Sequence, residues 1–376
     1  MNALYLHIPF CRRKCPYCDF FSVSQTSPVF QEYPRLLIAH LRLLARQEQA
    51  GPFSTVFFGG GTPSLLSPES VDEILSEVAC LFGLASDAEV TLEANPGTLS
   101  FEMLSGFRSA GINRLSLGLQ SLQDARLKVL GRLHTAAEGL QAVEWARKAG
   151  FDNLSCDLMF GLPGQSLTAL MADVEAVLAL QPEHLSYYGL TVEEGTPFEE
   201  LHRQAVLHPA TEDLATEMYL ALDERLGVAG YEHYEISNYA RPGHACRHNE
   251  VYWRRQGYLG LGPGAHSFSE QGWGTRWEIP PDIDRYVQAL REGRDPRIYL
   301  ESFDRSGAMA ETLYLGLREA AGVDEARFRE RFGQGVAEAY PVAVEKTVDY
   351  LVYEKGRWHF TLSGWLLYNH LIQNFL

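Results

Sequence analysis

Cys11-Arg-Arg-Lys-Cys15-Pro-Tyr-Cys18 gathers three of the chain's six cysteines into one short segment. Thiolates this close together can hold one metal centre, because the thiolate is the form that ligates metal. Six cysteines in 376 residues are too few for a disulfide framework, so the clustering points to a site and not to cross-links. The other three stand apart. Cys80 falls in an apolar helical pattern and Cys156 in a strand pattern, where free cysteine serves as a small hydrophobe.

Three readings fit the segment. A structural zinc site needs a fourth ligand, such as a histidine. Cys15-Pro16-Tyr17-Cys18 resembles the redox motif of glutaredoxins, which also lies between a strand and a helix. An iron–sulfur cluster held by three thiolates keeps one iron free for a small molecule, since such clusters ordinarily take four. A second segment bears on the choice. Gly59-Gly60-Gly61-Thr62-Pro63 is neither a Walker loop nor a dinucleotide G-x-G-x-x-G. Its bland reading is a tight turn, but three glycines also let a backbone approach a ligand and offer its amides and carbonyls. Beside an open iron, such a loop suits a small zwitterionic ligand.

The elements that must position these residues alternate. Residues 4–8 read as a buried strand running into the cysteines, and helical spacing covers about 34–49, with Leu36, Leu37, Leu41 and Leu44 on one side. A strand at 54–58 ends in the glycine loop, and Ser67 followed by Pro68 opens the next helix as cap and first-turn proline. The pattern repeats with strands at 89–93, 112–119, 153–159 and 184–190; helices at 101–110, through 132 to 148, and up to about 180 separate them. Six strand–helix units in series predict an α/β fold with a parallel sheet, closed as an incomplete (β/α)6 barrel. Parallel α/β folds put chemistry at the carboxyl ends of their strands. Those ends carry the cysteines, the glycines, Glu93, Gln120, Asp157 and Tyr187-Tyr188.

Beyond about residue 200 the alternation fades into a helix at 211–226, a strand at 231–236 and a stretch at 243–268 rich in Gly, His and aromatics. From about 305, three short helices, the segment 357–361 and a last helix from 363 predict a small helical, winged-helix-like domain. The expected division is 1–235 for the barrel, 236–304 for an elaboration and 305–376 for the C-terminal domain.

With these segments in view, the sequence resembles the radical SAM superfamily, whose Cys-x3-Cys-x2-Cys motif is matched by Cys11, Cys15 and Cys18. More narrowly it is similar to the oxygen-independent coproporphyrinogen III oxidase family, through Tyr-x-His-Ile-Pro-Phe-Cys, Gly-Gly-Gly-Thr-Pro, Glu-x-Asn-Pro and Asp-Leu-Met-x-Gly-Leu-Pro, over nearly the whole chain. The resemblance implies that Cys11, Cys15 and Cys18 ligate a [4Fe–4S] cluster whose fourth iron binds S-adenosylmethionine through its amino and carboxylate groups. It implies that Tyr5 and Tyr17 line that cofactor, that Gly60, Gly61 and Thr62 meet its methionine end, and that Glu93, Gln120, Arg132 and Asp157 contact it. Arg132, in a helical region, could equally be a surface arginine.

Two departures separate the chain from the oxidases. They continue Cys-x3-Cys-x2-Cys-x-Cys, whereas the last position here is Phe20, and they carry an extension ahead of the cluster loop, whereas ten residues precede Cys11 here. Both point to the HemW-type branch, which carries His-Asn-x-x-Tyr-Trp, matched by His248, Asn249, Tyr252 and Trp253. Histidine is a common axial ligand of haem iron, and aromatics pack on a macrocycle. On their own, such residues are more often a packed cluster. His244 and Cys246 are close enough to compete, as haem ligands or as a zinc pair; without Cys-x-x-Cys-His, covalent c-type attachment is not expected. The implied function is haem binding and delivery to an acceptor such as a respiratory-chain haemoprotein, with an electron donor serving the cluster. An oxidase that decarboxylates porphyrinogen propionates is the alternative.

Composition limits the partners. A net charge of −16, from 32 Lys and Arg against 48 Asp and Glu, argues against nucleic acid, whose binding rests on clustered cations. The first residues lack the basic segment of a signal peptide, and no apolar run reaches the ~20 residues of a membrane helix. A cytoplasmic protein is expected, with membrane association only through a partner and room for a homodimer.

Overall fold

A computed structural model describes residues 1–48 and 50–376. The six expected strands are present as β1 (Ala3–Ile8), β2 (Phe53–Gly60), β3 (Leu84–Ala94), β4 (Arg114–Gln120), β5 (Leu154–Phe160) and β6 (His184–Gly189). Six more follow: β7 (Glu232–Glu235), β8 (Asn238–Ala240), β9 (Tyr258–Leu261), β10 (His266–Ser269), β11 (Thr275–Glu278) and β12 (Ile298–Ser302). Among the described residues these form one sheet in the order β12-β11-β10-β9-β1-β2-β3-β4-β5-β6-β8-β7. Its ends do not meet, so the barrel is incomplete.

The parallel part is larger than six strands. β9 pairs parallel with β1, Tyr5 opposite Gly260, while β2 lies along the other side of β1. The sequence conceals β9 because Tyr-Leu-Gly-Leu shows no clear alternation and no crossover helix follows it. Gly260 is required there: a Cβ would lie 2.0 Å from the His266 carbonyl oxygen. Antiparallel strands then flank the parallel core, β8 and β7 beyond β6, and β10 to β12 beyond β9.

Caps and alternation place the crossovers. Ser67, Ser100 and Ser166 each accept a first-turn N–H of their helices, and Thr135 with Glu138 forms a capping box. Helices bury Leu37, Val71, Leu104, Val143 and Leu170 against the outward-facing Leu4, Val56, Leu92, Leu115 and Leu185. The helix Tyr33–Leu44 stops earlier than the spacing suggested, and the expected end at 49 lies outside the described residues. Cys80, expected as a small hydrophobe, is exposed instead, because its helix turns that side to solvent.

The C-terminal domain has its own core, built from Leu313, Leu317, Phe328, Phe332, Phe360 and Tyr368. Its helices Arg305–Gly316, Glu325–Phe332 and Pro341–Lys346 pack with a three-stranded antiparallel sheet whose hairpin, Leu351–Glu354 with Arg357–Phe360, supplies the wing.

Candidate cluster and cofactor site

The cysteine loop starts where β1 stops, and backbone bonds fold it back. Phe10–Cys11 pairs with Val23–Ser24, Cys18 N–H donates to the Cys15 carbonyl at 3.1 Å, and Gln25 N–H donates to that of Cys11 at 3.0 Å. Its outer side rests on the 131–132 link: Arg13 donates to the Gly131 carbonyl, and a Cβ on Gly131, whose φ is 68°, would fall 2.7 Å from Pro16. Only glycine suits both the left-handed backbone and that approach.

That link corrects one expectation. Arg132 lies outside any helix, between Asp124–Val129 and Ala136–Lys148, because Gly131 ends the first. Its guanidinium donates to the Gly118 carbonyl at 2.7 Å and reaches within 3.8 Å of the Cys15 sulfur. It belongs with the thiols and is no plain surface arginine. From the other side, the Thr62 hydroxyl donates to the Cys11 sulfur at 3.5 Å. Burial raises the Cys18 thiol, the Phe20 amide opposes this, and Cys15 and Cys11 raise it further. Tyr17 packs on Phe198, and burial raises its phenol despite Arg132.

The remaining strand-end residues lie alongside. Gly60, with φ of 109°, donates its N–H to a Glu93 oxygen at 3.1 Å, and a Cβ there would strike the His7 ring at 2.6 Å. The Gly61 N–H returns to the Ile8 carbonyl at 2.9 Å. Asp157 accepts from Ser116 and Ser155, both at 2.8 Å; burial raises its carboxyl and these hydroxyls oppose it. Gln120 sits at a register shift in β4 with φ of 64°, a left-handed conformation that costs a non-glycine residue about 1 kcal/mol. A Cβ on Gly118 would lie 3.0 Å from the Gln120 amide nitrogen and 3.2 Å from Arg132, so the two side chains converge there. Tyr5 hydrogen-bonds His7 at 3.0 Å, and its phenol is raised by burial and then by Glu93.

Glu93 offers a pH test. Its carboxyl is raised from 4.5 to about 8 by burial and then by Asp157, against the Gly60 amide and Arg114. The folded chain therefore keeps a proton that the unfolded chain releases, and the associated stability is complete below about pH 4.5 and lost as pH rises toward about 8. Glu93→Gln keeps the neutral form at every pH. Urea denaturation from about pH 5 to 8 should show wild-type stability falling relative to the variant by on the order of 1–2 kcal/mol, allowing for the part-open side chain. Parallel pH profiles would refute this.

His248, Asn249, Tyr252 and Trp253 lie on the helix Arg247–Trp253, which is set against the concave face of the sheet. His248 is 1% exposed. Its Nδ1 hydrogen-bonds the Thr55 hydroxyl and its Nε2 the Tyr252 hydroxyl, each at 2.8 Å, and its ring stacks on Phe57 at 5.0 Å. Burial, then Arg114, lowers the imidazole to about 3. In this arrangement neither ring nitrogen is open to an iron. Trp253 points to the C-terminal domain, with the Arg318 guanidinium 4.7 Å from its ring centre, and Asn249 is half-buried. The motif thus spans two surfaces. Cys246 is buried with its thiol toward Glu89 at 3.7 Å, and His244 lies in the turn before the helix, its N–H on the Arg241 carbonyl.

Sequence reasoning missed Glu89 and Arg114, the buried charges behind these residues. Glu89 shares its face of β3 with Glu93, so strand parity was the available signal.

Residues 5–177 match the Radical SAM superfamily and 304–367 the HemN C-terminal domain. The chain is 35% identical to the heme chaperone HemW of Bacillus subtilis (strain 168), covering 100% of this chain and 99% of that one. It is also 35% identical to the heme chaperone HemW of Escherichia coli (strain K12), covering 100% and 98%. The chain belongs to the HemW family. Among solved structures, coproporphyrinogen III oxidase (HemN) from Escherichia coli, a radical SAM enzyme, superposes with a TM-score of 0.82 over 99% of this chain and 89% of its own at 20% identity, which establishes a shared fold.

Membership of HemW in the radical SAM superfamily implies a [4Fe–4S] cluster and S-adenosylmethionine, and the residues fit both. Three thiols share one loop with no fourth cysteine beside them, since Phe20 is apolar and exposed. Among the described residues the buried Arg132 Nε has no partner, an orphan donor that an anionic group would satisfy.

Proposed function

We propose that this chain binds haem and delivers it to an acceptor haemoprotein. The observation that carries this reading is its identity, along the full length, to proteins named heme chaperones. Cys11, Cys15 and Cys18 would hold the cluster, with Arg132 and Thr62 donating toward the sulfurs of Cys15 and Cys11. S-adenosylmethionine would lie beside it, contacted by Tyr5, Tyr17, Gly60, Gly61, Thr62, Glu93, Gln120, Arg132 and Asp157. When bound, the cluster supplies a redox-active iron with one open position. Beside it, Glu93 would hold a proton at the cofactor's edge.

Free thiols of this kind suit a reducing cytoplasm, where an electron donor could reach the loop. Among the described residues no helix is long and apolar enough to cross a membrane, so a membrane-bound acceptor would be met at its surface. The test is a paired assay on one anaerobically reconstituted sample. Haem titration should saturate near one equivalent, while coproporphyrinogen III with reductant and S-adenosylmethionine should yield no protoporphyrinogen. Turnover without haem binding would favour the oxidase and refute delivery.

A further inference from the structure

A cavity of about 990 Å³ opens between the sheet and the C-terminal domain. One wall holds Met1, Asn2 and Gly257, which lead into the parallel strands β1 and β9. The cavity therefore lies at the amino ends of those strands, on the opposite side from the cysteine loop. The other wall includes the helix Glu325–Phe332, through Arg327, Phe328 and Arg331. Its size is that of a pocket for a small organic ligand.

Five arginines line it, in a chain whose net charge is −16. Two of them are committed: Arg254 pairs with Glu250 and Glu319, and Arg357 pairs with Asp324 at 2.9 Å. Those pairs also occupy Glu319 and Asp324, two of the four acids at the cavity. Glu270 accepts the Gly257 N–H, and Glu330 is exposed. Burial raises the Glu319 carboxyl to about 7 against Arg254, so it carries only part of a charge at neutral pH.

The remaining three arginines are not matched. Arg327 and Arg331 stand one helical turn apart, are exposed and form no ion pair among the described residues. Arg331 reaches only the carbonyls of Glu270 and Gly272, at 3.5 and 3.4 Å. Arg255 is the fixed member. Its side chain is 4% exposed, and its guanidinium lies against the Phe268 and Phe303 rings at 4.7 and 4.8 Å. Nε donates to Glu311, an acid shared with Arg276, and Nη2 donates to the Trp273 carbonyl. Buried Nη1 has no hydrogen-bond partner among the described residues, although a buried donor ordinarily has one. Arg255 and Arg331 meet the same turn between β10 and β11, so two guanidinium groups are drawn together. Burial holds Arg255 below its ordinary range; Glu311 opposes this, and Arg331 and Arg276 add to it.

We propose that this cavity binds a small polyanion of the diphosphate class, inorganic or carried on a nucleoside, with Arg255, Arg327 and Arg331 taking its oxygens. A guanidinium donates in a planar fork that matches phosphate geometry, and a diphosphate has oxygens enough for three such groups. The anion bridges two parts of the fold, since Arg255 follows the helix Arg247–Trp253 and the other two arginines belong to the C-terminal domain. The proposal does not depend on the haem-delivery reading.

The test is calorimetric titration of the full-length chain with metal-free pyrophosphate, adenosine diphosphate and citrate. Pyrophosphate should bind at one site per chain, more weakly as salt rises, and should raise the thermal unfolding midpoint. Arg327→Gln combined with Arg331→Gln should weaken binding by about tenfold or more with unchanged circular dichroism, because both side chains are exposed. The corresponding lysine pair keeps the charge without the fork and should recover only part of the affinity. Adenosine diphosphate bound more tightly than pyrophosphate assigns the nucleoside-borne form, and the reverse order assigns the inorganic one. Citrate bound as tightly as either would overturn the phosphate class. Pyrophosphate and adenosine diphosphate that do not bind, or that bind the glutamine pair as well as wild type, would overturn the site.

Discussion

A chain carrying Cys15→Ala, reconstituted anaerobically with iron and sulfide, should retain under about a tenth of the wild-type iron and sulfide and lose its broad visible absorption. Cys15 is the sulfur that the Arg132 guanidinium approaches, at 3.8 Å. Around Cys18, burial and then the two neighbouring sulfurs favour the neutral thiol. Iron bound by all three sulfurs would relieve that repulsion, and two thiols would not replace the set. The loop itself should survive, since its ladder to Val23–Ser24 and the Arg13 contact do not involve the sulfur. Circular dichroism should therefore match wild type while metal analysis does not. One zinc per chain without sulfide, in wild type and variant alike, would refute the cluster.

Glu89→Ala should destabilise the chain by about 3–5 kcal/mol in urea denaturation. Glu89 is 7% exposed, and its carboxylate accepts the backbone N–H groups of Arg247 at 3.2 Å and His248 at 3.1 Å, two amides at the start of the helix Arg247–Trp253. The same carboxylate faces Arg114. Although burial opposes its charge, the Arg114 guanidinium is held above its ordinary range by Cys246, Glu89, Tyr234 and Asp157. Removing Glu89 leaves two buried donors and part of a buried charge without a partner. It also loosens the helix that fixes His248 against Thr55. Glu89→Gln, with one acceptor oxygen and no charge, should recover part of the loss. A cost below about 1 kcal/mol for the alanine variant would mean that this carboxylate does not anchor the helix.

Much of the fold was legible because its causes are local. Ser67-Pro68 marks a helix start, since the cap oxygen and the first-turn proline act on their own turn. Glu93, Gln120 and Asp157 were legible as strand-end residues, since a parallel α/β chain repeats one unit and each unit ends on the same side. Arg132 was less so, because Gly131 turns the chain there and the partners, Cys15 and Gly118, come from elsewhere in the fold. β9 was hidden because its glycine serves the close approach of His266 and blurs the alternation.

By itself, the sequence determined that three thiols share a loop, that a glycine turn and acidic residues end the following strands, and which family's pattern this matches. Spacing and alternation decide such things within a few residues of chain. Only the tertiary structure decided what each histidine can do. His248 reads as a free ligand until Thr55, 193 positions earlier, takes one nitrogen and Tyr252 takes the other. His266 reads as one more residue in a glycine-rich stretch until antiparallel pairing carries it to the end of the sheet where the cysteine loop lies. Hydrogen bonds between distant segments depend on how the sheet is ordered, and no local pattern records that order.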